Sequence, residues 1–155
     1  MARTDISMTL EEIDAFLATG RNLQVATKGL DGWPHVTTLW YTMRNGLITF
    51  RSFRRSQRIV NLGRDPRLTV LVETGDTYEN LRGVMVKGTA ELSDDRQEVL
   101  KVYGAVAAKY QFDGTALDPE AAEALFGARA AKNTVVTVHP DRIASWDHRR
   151  LGGAY

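Results

Sequence analysis

The alternation of apolar and polar residues along the chain predicts short β-strands with a few helices between them. Thr9 and Glu12 fit a capping box ahead of apolar residues at helical spacing, so a helix should begin here and end near Gly20. Glycine-containing turns, including Asn45-Gly46, separate the strand-like segments that follow. These segments cover residues 23–28, 35–43 and 47–53. The first third of the chain is therefore predicted to be a β-meander.

The rest of the chain alternates between strands and isolated helices. Ser56 should cap a short helix that Asp65-Pro66 ends, and Gly88 marks a β-bulge in a later strand. The remaining predicted strands cover residues 67–73, 81–92, 134–139 and 142–147. Two more helices should run from residues 93–95 to about residue 110 and from residue 118 to about residue 127. Six or seven strands with closely spaced turns favour an antiparallel barrel with helices outside it, and 155 residues favour one domain, 1–155.

Composition narrows the classes of function. Lys and Arg number 20 against 19 Asp and Glu, so a net charge of +1 gives no global attraction for nucleic acid or anionic lipid. The sequence has no cysteine, and its three histidines have no metal-ligand spacing, so neither a disulfide nor a metal site is expected. No segment resembles a signal peptide or a membrane span. We expect a cytoplasmic protein without a nucleic-acid or membrane partner.

The most unusual composition lies in residues 51–58, where four arginines and two serines occur without an acidic residue. This segment joins the end of a predicted strand to the start of a predicted helix. A helix start offers unpaired N–H groups, and guanidinium groups bind phosphate through two hydrogen bonds. The segment therefore indicates an anion site, with a solvated basic loop as the alternative.

Several motifs taken together resemble the split β-barrel flavin and deazaflavin oxidoreductase family. This family includes pyridoxamine 5′-phosphate oxidase and actinobacterial enzymes that use coenzyme F420. The motifs are Gly32-x-Pro34-His35-Val36-Thr37-Thr38-Leu39-Trp40-Tyr41, Ser52-x-x-x-Ser56-x-Arg58-x-x-Asn61-Leu62, and Asp65-Pro66-Arg67. The closing Ser145-Trp146-Asp147-His148-Arg149-Arg150-Leu151 is similar to a tail in the F420-dependent branch. The resemblance implies a mostly β, FMN-binding-like fold, a split antiparallel β-barrel with a few helices.

The resemblance also implies a homodimer with a cofactor at each subunit interface. The ring system would lie against the backbone of the second strand, and the loop after the third β-strand of the meander would hold the phosphate. The implied cofactor-binding residues are Val36, Thr37, Thr38, Arg51, Ser52, Arg55, Ser56, Gln57 and Arg58. Two positions depart from the family pattern, because lysine is usual at Arg58 and proline is often found at Thr38.

The implied reaction is hydride transfer between the cofactor and a small organic substrate. The sequence shows no paired carboxylates and no catalytic triad, so no catalytic residue is assigned. The proton could come from solvent, from Tyr41 or from His35. Coenzyme F420 is favoured because a basic track could follow its anionic tail, and this track would comprise Arg54, Arg55, Arg58 and Arg64.

Other interpretations remain open. FMN is the alternative cofactor, which would make the protein a pyridoxamine 5′-phosphate oxidase-like enzyme. Haem is a third candidate, although none of the three histidines is a persuasive axial ligand. The protein could also carry a cofactor without turning it over. A nucleic-acid contact at residues 51–58 is the weakest alternative, given the near-neutral charge.

Overall fold

The structure is a computed structural model that describes residues 5–111 and 114–153. These residues contain seven β-strands and four α-helices. The helices are Leu10–Thr19 (α1), Gln57–Arg64 (α2), Arg96–Tyr110 (α3) and Pro119–Ala130 (α4). The strands are Leu23–Lys28 (β1), Pro34–Leu39 (β2), Thr42–Arg44 (β3), Leu47–Phe53 (β4), Arg67–Thr74 (β5), Arg82–Ser93 (β6) and Asn133–Asp147 (β7). The capping box predicted at Thr9 is present, with its hydroxyl accepting a hydrogen bond from Glu12 N.

All seven strands form one antiparallel sheet in the order β2-β1-β5-β6-β7-β4-β3. The edge strands β2 and β3 lie at opposite ends of this order, yet only Trp40 and Tyr41 connect them. The three Cα–Cα steps from Leu39 to Thr42 span at most about 11 Å. The sheet must therefore curl until its edges meet at this connection, and the split antiparallel barrel expected from the sequence is confirmed.

The prediction of one strand over residues 35–43 was wrong. β2 pairs with β1 and β3 pairs with β4, so the chain changes partners between Leu39 and Thr42. Helix α3 fixes this crossing, because Trp40 stacks on Tyr110 with ring centroids 4.5 Å apart and Tyr41 N donates to Tyr110 Oη over 3.3 Å. Apolar and polar residues alternate across this change of partners, and such alternation indicates which side chains are buried but not which strand each residue pairs with.

The last two predicted strands form the single strand β7. Its register with β6 shifts after Lys87, so that Lys87 faces Arg142 while Gly88 faces Pro140. Asp141 is thus the extra residue, and the bulge predicted at Gly88 is confirmed with its additional residue on the partner strand. A side chain at Gly88 would collide with the backbone of the bulged strand. A smaller difference is that α4 passes the predicted end near residue 127 and continues to Ala130.

The apolar side chains form two groups on the two faces of the sheet. The larger group fills the barrel and includes residues from α1, α2 and most strands, such as Leu17, Val25, Phe50 and Leu62. The smaller group packs α3 and α4 against Val135 of β7. In the part of the chain that the structure describes, no helix has the length and apolar character that crossing a membrane requires.

Candidate anion and cofactor site

Four polar side chains from β2, β4 and α2 form one hydrogen-bonded group, which we call the anion cluster: Thr37, Ser52, Ser56 and Arg58. Arg58 Nε donates to Thr37 Oγ1 over 2.9 Å, and Arg58 Nη1 donates to Ser52 Oγ over 2.6 Å. The hydroxyls of Ser52 and Ser56 are 2.9 Å apart, and either can donate to the other. All four side chains belong to the set that the sequence analysis assigned to cofactor binding.

The start of α2 adds backbone donors to the anion cluster. Ser56 occupies the N-cap position, but its side chain makes no capping hydrogen bond and contacts Ser52 instead. The first turn of α2 contains no acidic residue. Helix-start N–H groups without a capping side chain carry partial positive charge and favour an anion. Backbone N–H groups, hydroxyls and a guanidinium therefore occur together here.

Arg58 carries a charge that no carboxylate of the described residues neutralises. Its side chain is half-buried, and burial lowers the pKa of its guanidinium. Within residues 5–111 and 114–153, no carboxylate pairs with Arg58, and its contacts are with neutral hydroxyls. A half-buried cation with unused N–H donors is stabilised by an anion, and phosphate matches this donor set. The residues present thus fit the phosphate of a bound cofactor.

Asn61 anchors α2 to the sheet beneath the cluster. It is fully buried, donates from Nδ2 to Thr27 Oγ1 over 3.0 Å and accepts from Gln57 Nε2 over 2.8 Å. Gln57, one of the expected cofactor contacts, is therefore engaged with its own helix. The sequence analysis did not identify this anchoring role, because one polar residue between Ile59 and Leu62 has no feature that marks it as buried.

Arg51 does not join the cluster. Neighbouring strand residues point to opposite faces, so Ser52 faces the cluster while Arg51 lies beneath α3. The Arg51 guanidinium stands 3.7 Å from the centroid of the Tyr103 ring, and burial lowers its pKa. Its Nε has no hydrogen-bond partner among the described residues. In the single chain Arg51 therefore packs against a helix.

The other expected cofactor contacts are exposed. Val36 and Thr38 alternate with Thr37 along β2, so they lie on the opposite face of this edge strand. The edge of β2 that does not face β1 has no neighbouring strand in the sheet. Arg55 is exposed in the loop before α2. These residues surround the anion cluster without bonding to it.

The basic track expected from the sequence is shorter in the structure. Arg54 Nε lies 3.2 Å from a carboxylate oxygen of Asp94, and Arg64 donates to the carbonyl oxygen of Lys28 over 2.6 Å. Of the four arginines assigned to this track, only Arg54 pairs with a carboxylate among the described residues, and Arg64 is held by neutral oxygens of Lys28 and Asn61.

Tyr41 cannot supply a proton to a ligand in this structure. It is fully buried, donates from its hydroxyl to Leu17 O over 2.5 Å, and burial raises its pKa. The hypothesis that Tyr41 is a proton donor is therefore wrong. The other candidate, His35, lies on the same face of β2 as Thr37.

The closing segment 145–151 fastens the N-terminal segment to the barrel. Met8 N donates to Ser145 Oγ over 2.9 Å, and Asp147 N donates to Ile6 O over 2.7 Å. Arg150 forms an ion pair with Glu12 of α1. The segment that resembles an F420-branch tail thus has a structural role within the single chain.

Asp147 makes this fastening sensitive to acid. Its carboxylate is buried and accepts hydrogen bonds from Arg149, which hold its pKa below the usual value. A lowered pKa in the folded state adds stability above the unfolded-state pKa of about 4, and this stability is lost as the pH falls through the folded-state pKa. Asp147→Asn should therefore be less stable at pH 7 and should lose less stability between about pH 4 and pH 2. Urea unfolding of both proteins at pH 7 and between about pH 4 and pH 2 measures the free energy of unfolding that this comparison needs.

The matched control is Asp14→Asn on the exposed side of α1, which should keep the wild-type dependence on pH. Parallel stability curves for Asp147→Asn and the wild type would contradict the role assigned to Asp147.

Two of the three histidines have partners that would compete with a metal or haem iron. His139 Nε2 lies 2.6 Å from Glu91, and His148 Nδ1 lies 2.8 Å from the carbonyl oxygen of Tyr78. Among the described residues, no three or more His, Asp or Glu side chains come together in a way that could hold a metal ion.

Comparisons with known proteins place this geometry in a family. A conserved hypothetical protein from Mycobacterium tuberculosis is 36% identical, with a TM-score of 0.88 over 100% of this chain and 94% of that chain. An F420 reductase is 21% identical with a TM-score of 0.62 over 84% of this chain and 94% of that chain. A heme storage protein from Vibrio cholerae is 14% identical with a TM-score of 0.65 over 86% of this chain and 92% of that chain. The last two likenesses show a shared fold alone.

A search of curated proteins gave no match. The family model described as pyridoxamine 5′-phosphate oxidase matches residues 9–147, which is most of the chain. The chain therefore belongs to the pyridoxamine 5′-phosphate oxidase family.

Proposed function

We propose that this protein is a cytoplasmic oxidoreductase that binds coenzyme F420 through the anion cluster and transfers a hydride between this cofactor and a small organic substrate. The observation that carries the proposal is the Arg58 guanidinium, which is half-buried, held by Thr37 and Ser52, and unpaired with any carboxylate among the described residues. Such a group costs free energy unless an anion offsets its charge. A cofactor phosphate supplies that charge.

Each residue of the cluster has a distinct task in this proposal. Ser52, Ser56 and the first N–H groups of α2 bind the phosphate with Arg58, and Thr37 orients the guanidinium. Asn61 fixes the position of α2 relative to β1. When bound, the deazaflavin supplies the hydride chemistry, so the chain needs only to bind, orient and exclude water.

A homodimer is part of the proposal because one chain leaves the site open. β2 is an edge strand, and Val36 and Trp40 on or beside it keep 59% and 45% of their surface exposed. A second copy packed over these side chains would remove apolar surface from water and cover the ring site. Sedimentation velocity measures the oligomeric state, and a monomer at enzyme-assay concentrations would contradict this part.

FMN is the second candidate cofactor, and a specific observation favours it. Arg54 is paired with Asp94 and Arg64 donates to the carbonyl oxygen of Lys28, so two guanidinium groups of the expected track already have partners in the single chain, and the site suits one phosphate better than a long anionic tail. The closing segment that resembles the F420-dependent branch and the exposed Arg55 support F420. A cofactor carrier without turnover would use the same cluster, so binding and turnover need separate measurements.

The deciding experiment titrates the purified protein separately with F420 and FMN and follows cofactor fluorescence. Reduced F420 is then mixed with the protein and a quinone or an enone, and reappearance of the oxidised deazaflavin is recorded. We expect F420 to bind and its reduced form to be oxidised in a protein-dependent reaction. Binding of FMN without F420 would transfer the assignment to FMN, and binding without turnover would indicate a carrier. Binding of neither cofactor would refute the proposed function.

A further inference from the structure

A second pocket lies beside α1, away from the anion cluster. We call it the α1 pocket; it has a volume of about 550 Å³ and lies between α1, the end of β5, the start of β6 and the end of β7. Small-molecule sites typically measure roughly 300–1,000 Å³, so a compound of modest size would fit.

The α1 pocket and the anion cluster lie at opposite ends of β1. Asn22, which lines the pocket, immediately precedes this strand, whereas Thr27, which binds Asn61 beneath the cluster, lies near its other end. Five residues of extended strand span roughly 16 Å. A small ligand in the α1 pocket would therefore be separate from whatever the cluster holds.

One wall of the α1 pocket is apolar. It comprises Met8 before α1 together with Ala15 and Phe16 of the helix. Met8 and Phe16 belong to the apolar group that fills the barrel, so the core reaches the pocket at this wall. An apolar part of a ligand would leave water by packing here.

Arg82, at the start of β6, gives the pocket a polar group that the fold does not use fully. Its guanidinium carbon lies 5.3 Å from the centroid of the Phe16 ring, and the residue is half-buried. No hydrogen bond joins Arg82 to any described residue. A guanidinium has five N–H donors, and a carboxylate accepts two of them in parallel. A ligand carboxylate would thus meet the donors of Arg82 beside the apolar wall.

Two of the three carboxylates that line the pocket already have ionic partners. Glu12 pairs with Arg150, and Asp147 pairs with Arg149. Hydrogen bonds from Arg149, and more weakly the charge of Arg82, lower the pKa of Asp147. The negative charge of these two carboxylates is therefore largely offset within the protein.

The remaining charges of the pocket favour a single negative charge on the ligand. Glu73 is the third carboxylate, and it lies at the exposed end of β5. Arg21 and Arg82 are two guanidinium groups with no carboxylate partner within hydrogen-bond distance among the described residues, since Arg21 donates to the carbonyl oxygen of Lys109 over 3.2 Å. Two cations against one anion leave an excess of one positive charge, which a monoanion matches.

We propose that the α1 pocket binds a small organic monocarboxylate with an apolar body, such as an arylalkanoic acid. The carboxylate accepts hydrogen bonds from Arg82, and the apolar body packs against Met8, Ala15 and Phe16. Both parts of the ligand are required, because the pocket places a guanidinium next to an apolar wall. The inference goes beyond the proposed function and does not depend on it, since the anion cluster lies elsewhere.

The first test measures binding of 3-phenylpropionate to the protein without cofactor by isothermal titration calorimetry. Two analogues separate the contributions of charge and apolar surface: 3-phenylpropionamide lacks the negative charge, and acetate lacks the aromatic body. We expect each analogue to bind at least about tenfold more weakly than 3-phenylpropionate, because each loses one of the two interactions.

The second test changes the pocket. Arg82→Gln should weaken binding of 3-phenylpropionate by about tenfold or more, because charge-assisted hydrogen bonds are lost. Ala15→Trp should also weaken it, by filling the pocket while Arg82 stays in place. The matched controls are Arg142→Gln on β7 and Ala18→Trp on α1, both at exposed positions outside the pocket. Both controls should keep the wild-type affinity, and thermal melting should show that each variant folds.

Several outcomes would overturn the inference. These are no binding of 3-phenylpropionate to the wild type, acetate binding as tightly as 3-phenylpropionate, or wild-type affinity in folded Arg82→Gln or Ala15→Trp. Arg58→Ala separates the inference from the proposed function, because it should lose cofactor affinity and keep the wild-type affinity for 3-phenylpropionate. Loss of both affinities in a folded Arg58→Ala would place the carboxylate in the anion cluster and refute the α1 pocket.

Discussion

Replacing Arg58 with alanine should weaken binding of the phosphorylated cofactor by more than about 100-fold, because two charge-assisted hydrogen bonds are each worth roughly 1.5–3 kcal/mol. The same change removes the donors that orient Thr37 and Ser52. Fluorescence titration with the cofactor that the wild type binds measures the loss. The fold should persist, because Arg58 is half-buried and its hydrogen bonds to described residues are with two hydroxyls.

Two further substitutions make the Arg58 result specific. Arg58→Lys keeps the positive charge but loses the planar guanidinium, so its affinity for the cofactor should lie between those of the wild type and Arg58→Ala. Arg142→Ala removes the same charge from an exposed position on β7 and should leave affinity unchanged. Wild-type affinity in Arg58→Ala would show that the cluster does not hold the phosphate.

Asn61→Leu should lower the free energy of unfolding by about 2 kcal/mol, because it leaves the buried hydroxyl of Thr27 without its partner, whereas the amide of the exposed Gln57 can bind water instead. The fully buried position also gives a branched apolar side chain little room. Urea unfolding measures the loss. Cofactor affinity should fall with it, since α2 would no longer be fixed against β1.

Gly63→Ala provides a control in the same helix. Gly63 is exposed, and no atom lies within 4 Å of the added methyl group. Alanine should therefore stabilise α2 by about 0.5–1 kcal/mol. A lower free energy of unfolding in Asn61→Leu and a higher one in Gly63→Ala would show that Asn61 acts through its contacts. A loss below about 1 kcal/mol in Asn61→Leu would contradict its anchoring role.

The order of helices and strands was predictable because local signals agree with the fold. The capping box at Thr9, the Asn45-Gly46 turn and the Asp118-Pro119 helix start each act over a few residues. Asn45 and Gly46 both adopt positive φ, at 51° and 75°, as this type of hairpin turn requires. The serines and Arg58 of the anion cluster were identifiable for the same reason, since they lie within seven residues of one another.

What the sequence did not reveal depends on contacts between distant residues. The break at Trp40 and Tyr41 is set by Tyr110, which is about 70 positions later in the chain. The burial of Asn61 is set by Thr27, 34 positions earlier. Arg51 is a different case, because strand alternation alone places its side chain on the face opposite that of Ser52. Its expected contact with the cofactor stays a prediction.

The choice of Ser56 at the start of α2 links binding to folding. A serine side chain that capped the helix would make the ligand-free protein more stable. Here the Ser56 hydroxyl contacts Ser52 instead, so the N–H groups at the start of α2 have no capping side chain. In the proposed function, a bound phosphate would complete the start of the helix, and its stabilising effect would grow with the logarithm of the ligand concentration. The cellular lifetime of this protein would thus follow the cofactor supply, with chains made during scarcity unfolding and being degraded first.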